Sequence, residues 1–233
     1  MPIHPTETIK LTRHNDRDPR DMPNYTLSEA AYWLALAPNT LSNWVKGKAT
    51  MAPVVAPART DPTGLSFWNL VECSVVASIT KVHRIPLQRV RTAIEFVRKT
   101  LGKDRPLIEQ VFQTDGAHLF IEQLDKDPLI CASQGGQLAM RAVVAALDRI
   151  EWDENGLAQR MSPWRRRPSE PQLITIDSRV AFGQPVMINR NIPVAAIMER
   201  FKADESIQSL ADDYDVQRDE IERLVRVFVS EAA

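Results

Sequence analysis

The chain is poor in the residues that build disulfide and cofactor frameworks. It has two cysteines in 233 residues, Cys73 and Cys131. They lie far apart and outside any C-x-x-C or C-x-H spacing, which argues against a disulfide scaffold or a structural zinc site, and both read as small buried hydrophobes. The eight glycines include no phosphate-cradling loop, and the four histidines, His4, His14, His83 and His118, are scattered with no nucleophile motif beside them. No catalytic constellation is legible, so the expectation is a protein that is not an enzyme and carries no cofactor or metal. No apolar run approaches a membrane span, and the opening residues lack the apolar core of a signal peptide. A cytoplasmic protein without a membrane partner is expected.

Charge of one sign is also lacking overall, with a net of −1, but its distribution is uneven. Between 25 and 102 nine basic residues face four acidic ones, whereas between 169 and 233 seven basic residues face twelve acidic ones. Such a split assigns the two halves different partners, a polyanion to the first and something else to the second. The alternative is that each half simply has a solvated charged surface. Residues 1–24 mix four basic and four acidic side chains with little apolar content and read as a mobile arm.

What is present begins at 25–48, YTLSEAAYWLALAPNTLSNWVKGK. Thr26 and Glu29 have capping-box spacing, so a helix is predicted from about Leu27, with Leu27, Ala30, Ala31 and Leu34 on one face. Ala37-Pro38 ends it and opens a second. There Leu41, Trp44 and Val45 face inward, leaving Asn39, Thr40, Ser42, Asn43 and Lys46 outside. Short polar side chains and a cation suit base edges and phosphates. This segment resembles the N-terminal DNA-binding unit of MerR-type regulators, whose recognition helix carries Thr-Leu-x-x-Trp, here Thr40 to Trp44. The family has a glycine in the turn where this chain has Ala37. The bland alternative is a helical hairpin with a polar face and no ligand.

Residues 47–64 are rich in proline and small side chains. In the MerR-like scheme they form the wing, with Lys46, Lys48 and Arg59 against phosphate; a plain linker is the alternative, and three prolines allow at most an edge hairpin. Helical periods then return over 66–81 and 87–101, separated by Ile85-Pro86. The last of these helices carries Arg89, Arg91, Arg98 and Lys99 outward, with Arg84 just before it, suited to DNA backbone or to solubility alone.

The middle region, 103–168, is expected to hold a β-hairpin around Asp115-Gly116, flanked by 111–114 and 118–122. A helix over 137–150 follows, whose Ala142, Val143, Ala145 and Ala146 would allow close packing, with a second subunit as one candidate. Residues 161–172 read as a proline-rich linker containing Arg165, Arg166 and Arg167. From 169 onward come two candidate strands, 173–177 and 186–188, and then three helices. Pro193 starts the first, Ser206 caps the second, and Ile221, Leu224, Val225 and Phe228 make the inner face of the third.

The run Phe182-Gly183-Gln184-Pro185-Val186, Ile192-Pro193-Val194, Glu205-Ser206-Ile207 and Leu210-Ala211-Asp212-Asp213-Tyr214 resembles a small trihelical family. That family, long described as a domain of unknown function, occurs as antitoxins beside PIN-like ribonuclease toxins. With the MerR-like front end, the whole is similar to the longer VapB-type antitoxins. Asn189 and Asp204 stand where the family has glycine, the latter implying a different helix cap, and Asn191 stands where arginine is usual.

The expected fold is therefore mainly α with small β hairpins, an α+β chain with a MerR-like winged helix-turn-helix and a C-terminal three-helix unit of helix-turn-helix type. The resemblance implies a type II antitoxin that neutralises a PIN-like toxin and represses its own operon; a homodimer is expected from the small residues Ala142, Val143, Ala145 and Ala146. Charge assigns DNA to Asn39, Thr40, Ser42, Asn43, Lys46, Lys48 and Arg59 at the front. A PIN-type active site is acidic, so the neutralising contacts are assigned to Arg218, Arg223 and Arg226. The rival reading is a stand-alone MerR-like regulator sensing an organic effector.

Overall fold

In a computed structural model of the protein, the described residues are 18–47, 52–55, 64–83, 85–125, 135–163 and 172–229. They form a mainly helical α+β fold with two small antiparallel sheets. No helix among them is long and apolar enough to cross a membrane.

The first helix, α1 (Leu27–Trp33), starts where its cap dictates. Thr26 Oγ1 accepts from the Glu29 N–H at 3.2 Å, and Glu29 Oε2 accepts from the Thr26 N–H at 2.8 Å. Helix α2 (Pro38–Lys46) opens on proline and ends at Gly47, whose φ is 73°. The left-handed residue of the turn between them is Ala35 (φ 50°), while Ala37, where the resembled family has glycine, is extended at φ −69°. Alanine at 37 is therefore unstrained, and the cost of the turn, about 1 kcal/mol, falls two residues earlier.

Strand β1 (Pro23–Tyr25) pairs antiparallel with β2 (Leu65–Ser66), which leads into α3 (Phe67–His83). Helix α3 is buried on nearly every face: Leu70, Val71, Cys73, Val75, Val76 and Ile79 are all fully covered. Its buried polar groups are answered locally. Ser66 and Asn69 exchange hydrogen bonds at the helix start, and the Ser74 and Ser78 hydroxyls donate to carbonyls one turn back. Glu72 is answered from a distance by Arg105, at 2.6 and 3.2 Å. Arg105 also pairs with Asp21, and a neighbouring cluster joins Arg20 to Asp18 and Asp153 at 2.6 and 2.7 Å. The guanidiniums of Arg20 and Arg105 both lie over Trp68, 5.1 and 5.4 Å from its ring centre. Residues 18–21 are thereby tied to α3 and to the sheet beyond it; 1–17 lie outside the described residues.

Helix α4 (Leu87–Leu101) ends on left-handed Gly102. The hairpin expected at Asp115-Gly116 is absent. Phe112–Gly116 is a single π-helical turn running into α5 (Ala117–Asp125). Phe112 and Phe120 are fully buried edge to face, 6.1 Å apart, and a Cβ on Gly116 would lie 2.6 Å from Phe112 Cδ2. The glycine makes room for a ring and does not turn a strand; two buried aromatics on one helical face outweigh a dipeptide preference. Helix α6 (Gly135–Leu147) packs Val143 and Ala146 into the same core as α3 and α5, and Ala142 is buried too, whereas Ala145 is exposed.

The hairpin of this region lies later, at β3 (Ile150–Trp152) and β4 (Ala158–Met161), turning through Asn155-Gly156 with Gly156 at φ 71°. Strand β4 pairs with β5 (Ile174–Asp177), and β5 with β6 (Val186–Met187), so one four-stranded sheet runs from the middle region into the C-terminal unit. Residues 164–171, with Arg165, Arg166 and Arg167, lie outside the described residues. Three helices follow, α7 (Val194–Lys202), α8 (Ile207–Tyr214) and α9 (Arg218–Val229), around Val194, Ile197, Leu210, Ile221 and Leu224. Ser206 caps α8 through the Ser209 N–H. Asn189 and Asp204 sit at φ 61°, so both adopt the left-handed backbone that glycine would.

Asp177, the last residue of β5, is 1 % exposed. It accepts from the Arg179 main chain at 2.9 Å and from the Arg160 and Arg179 side chains at 3.0 and 3.1 Å. Burial opposes its charge, but the Arg179 and Arg160 hydrogen bonds outweigh that and hold its carboxyl below the usual range. Asp18 and Asp153 are lowered likewise, against burial, by bonds to Arg20 and, for Asp153, to main-chain N–H groups.

Two measurements check this packing. Gly116→Ala is expected to lower stability by about 1–3 kcal/mol despite alanine's better helix propensity, because the buried ring cannot yield; an unchanged or raised urea midpoint would contradict it. The three depressed carboxyls bind protons more weakly folded than unfolded, so stability is full above about pH 5 and falls below about pH 4. Asp177→Asn should flatten that acid slope in urea titrations between pH 6 and 3, and an unaltered slope would show that Asp177 contributes little.

Candidate functional site

Helix α2 divides cleanly into two faces. Leu41, Trp44 and Val45 are 0, 4 and 2 % exposed and fasten it to the core, each worth roughly 1.5–3 kcal/mol of apolar burial. Asn39, Ser42, Asn43 and Lys46 fall at i, i+3, i+4 and i+7, one stripe on the other side, with Thr40 on its flank. Asn39 and Lys46 are exposed and the other three half-buried. Five of the residues assigned from sequence to a nucleic acid are thus brought together on one outward surface. Lys48 and Arg59 lie outside the described residues.

The C-terminal end of that helix is fixed from two directions. The Trp44 carbonyl accepts from the N–H groups of Val54 and Val55, at 2.8 and 3.3 Å, and both valines are buried. Arg91 of α4 donates to the Ala52 carbonyl at 2.7 Å and also bonds Gln88. Of the cationic row on α4, Arg91 is therefore a brace for the segment after α2. Arg98 donates to the Asp104 carbonyl and pairs with Glu95, which Lys99 also approaches at 3.7 Å. Arg84 lies outside the described residues.

The surface of the C-terminal unit is organised by its own ion pairs. Arg200 pairs with Glu205 and Asp213 and lies 5.2 Å from the Tyr214 ring centre. Hydrogen bonds to those carboxylates raise the Arg200 pKa, and the Arg200 bond lowers that of Glu205. On α9, Arg218 is exposed in the first turn. Arg223 pairs with Asp219 at 2.7 Å, and Arg226 with Glu222 at 2.5 Å, both one helical turn apart. Exposed pairs of this kind hold by a few tenths of a kcal/mol, so either arginine exchanges its partner readily.

The two surfaces meet through aromatic rings. Tyr32 stacks on Phe228 at 5.5 Å, and Trp33 meets Phe228 edge-on at 5.7 Å, so the first helix and the last are in direct contact. Nothing in the sequence points to this contact, since Tyr32 and Trp33 lie nearly two hundred positions from Phe228 and outside the inner face read for the first helix. Also unforeseen is Phe182, 93 % exposed, although its Phe-Gly pair stood within a noted motif. Among the described residues, no group of three or more His, Cys, Asp or Glu side chains could hold a metal ion.

Residues 174–226, from β5 through most of α9, match the family described as "Protein of unknown function (DUF433)". The chain is 28 % identical to the protein named "Putative antitoxin VapB45" of Mycobacterium tuberculosis, over 86 % of this chain and 92 % of the relative. Its fold is similar to the crystal structure of Rv2018 from Mycobacterium tuberculosis, with a TM-score of 0.68 at 23 % identity, covering 88 % of this chain and 98 % of that one. Most of the chain thus resembles, at modest identity, a protein named as an antitoxin.

Proposed function

We propose that this chain is the antitoxin of a type II toxin–antitoxin system: it binds and neutralises a PIN-like ribonuclease toxin and, as a homodimer, binds operator DNA to repress its own operon. The similarity to an antitoxin-named relative carries this reading, because it extends over 86 % of this chain and 92 % of the relative, well beyond the residues matched by the family model. In it, α1 and α2 are a MerR-like helix-turn-helix, and the stripe Asn39, Ser42, Asn43 and Lys46, with Thr40, lies in a DNA groove. Lys48 and Arg59 add phosphate contacts. The protein has no catalytic role of its own. Arg218, Arg223 and Arg226 of α9 offer the toxin cations that can leave their intrahelical carboxylates.

The burial pattern of α2 supports the DNA assignment: its apolar residues are used up in the core, and what remains outside is donors, acceptors and one cation. The C-terminal unit is a poorer candidate for the same task, since Asp204, Asp212, Asp213, Asp215 and Asp219 are exposed on it and would be repelled by phosphate.

Co-expression with the toxin-like product of the neighbouring gene is expected to restore growth and to give a complex that co-purifies; toxicity persisting with no complex would remove the antitoxin reading. Lys46→Ala is expected to weaken operator binding nearly uniformly across sequences and to reduce the slope of log K against log salt by about 1. An unchanged slope would take Lys46 off the phosphate.

A further inference from the structure

The most exposed large apolar side chain among the described residues is also the one held in the least comfortable backbone. Phe182 is 93 % exposed, and Ala181, Phe182 and Gly183 have φ of 47, 54 and 75°, three left-handed residues in succession. Chains avoid this conformation outside glycine, and it persists only where the surroundings over-determine it. They do so here. Asn24 donates its side-chain amide to the Phe182 carbonyl, and buried Tyr25 donates its hydroxyl to the Gly183 carbonyl. A Cβ on Gly183 would stand 3.0 Å from that hydroxyl and 3.2 Å from the Asn24 amide, so glycine is what lets β1 come this close. On the other side, Asp177 accepts from the Arg179 N–H and anchors the approach to the turn. Strand β1, from the front of the chain, and β5, from the C-terminal unit, thus grip one short turn from both ends and point a phenylalanine ring into water.

We infer that the 181–183 turn is a preformed anchor that inserts Phe182 into an apolar pocket of a protein partner, and that this partner is the toxin of the proposed function, on which the inference rests. Aromatic residues including Phe are enriched at protein interfaces, and a rigidly presented one gains its large apolar area with little ordering left to do. Charge fixes the chemistry of the pocket. The Arg179 side chain beside the turn is 61 % exposed, and the Asp177 carboxylate that it bonds is 1 % exposed, so an incoming partner meets the cation and not its counter-charge. The pocket that receives Phe182 therefore has an acidic rim. Phe182 supplies the apolar centre of the contact, and Arg179 stands at its edge.

The test is titration calorimetry of the full-length chain against the purified product of the neighbouring toxin-like gene, with sedimentation of each variant alone. Phe182→Ala is expected to bind at least about 30-fold more weakly. Phe182→Leu should fall between it and the parent, and both should keep the parent's thermal midpoint and operator affinity. Arg179→Gln should weaken binding less and make it less salt-dependent. Parent-like affinity of Phe182→Ala would overturn the anchor while leaving the antitoxin reading in place. If the parent chain itself does not bind the toxin-like protein, the antitoxin reading falls, and the occupant proposed here falls with it. A parent dimer that Phe182→Ala converts to monomer would make a second copy of the chain the occupant, and would equally overturn the proposal.

Discussion

A carboxylate in the middle of the most enclosed helix sets the terms for the front of this molecule. Glu72 lies on α3, whose neighbouring positions are apolar and covered, and a charge there is tolerable only with a partner of fixed geometry. Arg105 supplies it from the loop after α4, and its remaining capacity is used by Asp21, ahead of β1. Arg105 and Arg20 both lie over Trp68, and Arg20 reaches Asp153 at the β3–β4 turn. Removing Arg105 would leave the Glu72 carboxylate buried without its counter-charge, a cost of several kcal/mol, so the network fastens together the N-terminal segment, α3, the α4 loop and the sheet.

That fastening determines what can be presented on the surface. With residues 18–21 tied down, β1 is held where it can pair with β2 and where Asn24 and Tyr25 can reach the 181–183 turn. With α3 in place, Leu41, Trp44 and Val45 have a core to enter, and the polar stripe of α2 is left facing out. The surface proposed for DNA and the turn proposed for a protein partner thus depend on the same buried ion network. The Tyr32, Trp33 and Phe228 rings close the remaining gap between α1 and α9. A partner that grips the C-terminal unit therefore acts on a body that also carries α1 and α2.

Local chemistry was legible wherever one turn of chain contained its own reason. The Thr26–Glu29 box, Pro38, the Ser206 cap and the inner faces of α2, α8 and α9 all follow from spacings of three and four residues. The hairpin expectation failed because Asp115-Gly116 was weighed as a dipeptide, whereas the rings of Phe112 and Phe120, spaced for a helix, had a core waiting for them. Asn155-Gly156 carried an equally strong turn signal, and there the strands on each side had partners. The glycine expected at Ala37 was misplaced for a similar reason: a motif gives residue order, but the left-handed position depends on how many residues the turn spans, and here it is Ala35.

The sequence by itself determined the helical class, the starts and inner faces of the helices at both ends, the two C-terminal strands, and which side chains of α2 are left for a ligand. These depend on interactions between residues a few positions apart, whose geometry is fixed by the helix or strand itself. Only the tertiary structure decided that β4 and β5 join the middle region to the C-terminal unit in one sheet, that Glu72 and Arg105 meet, and that Phe182 stands in water. Each rests on groups far apart in the chain, brought together because a buried charge must find its counter-charge and a buried backbone its hydrogen bonds, and neither demand is visible until the core has formed.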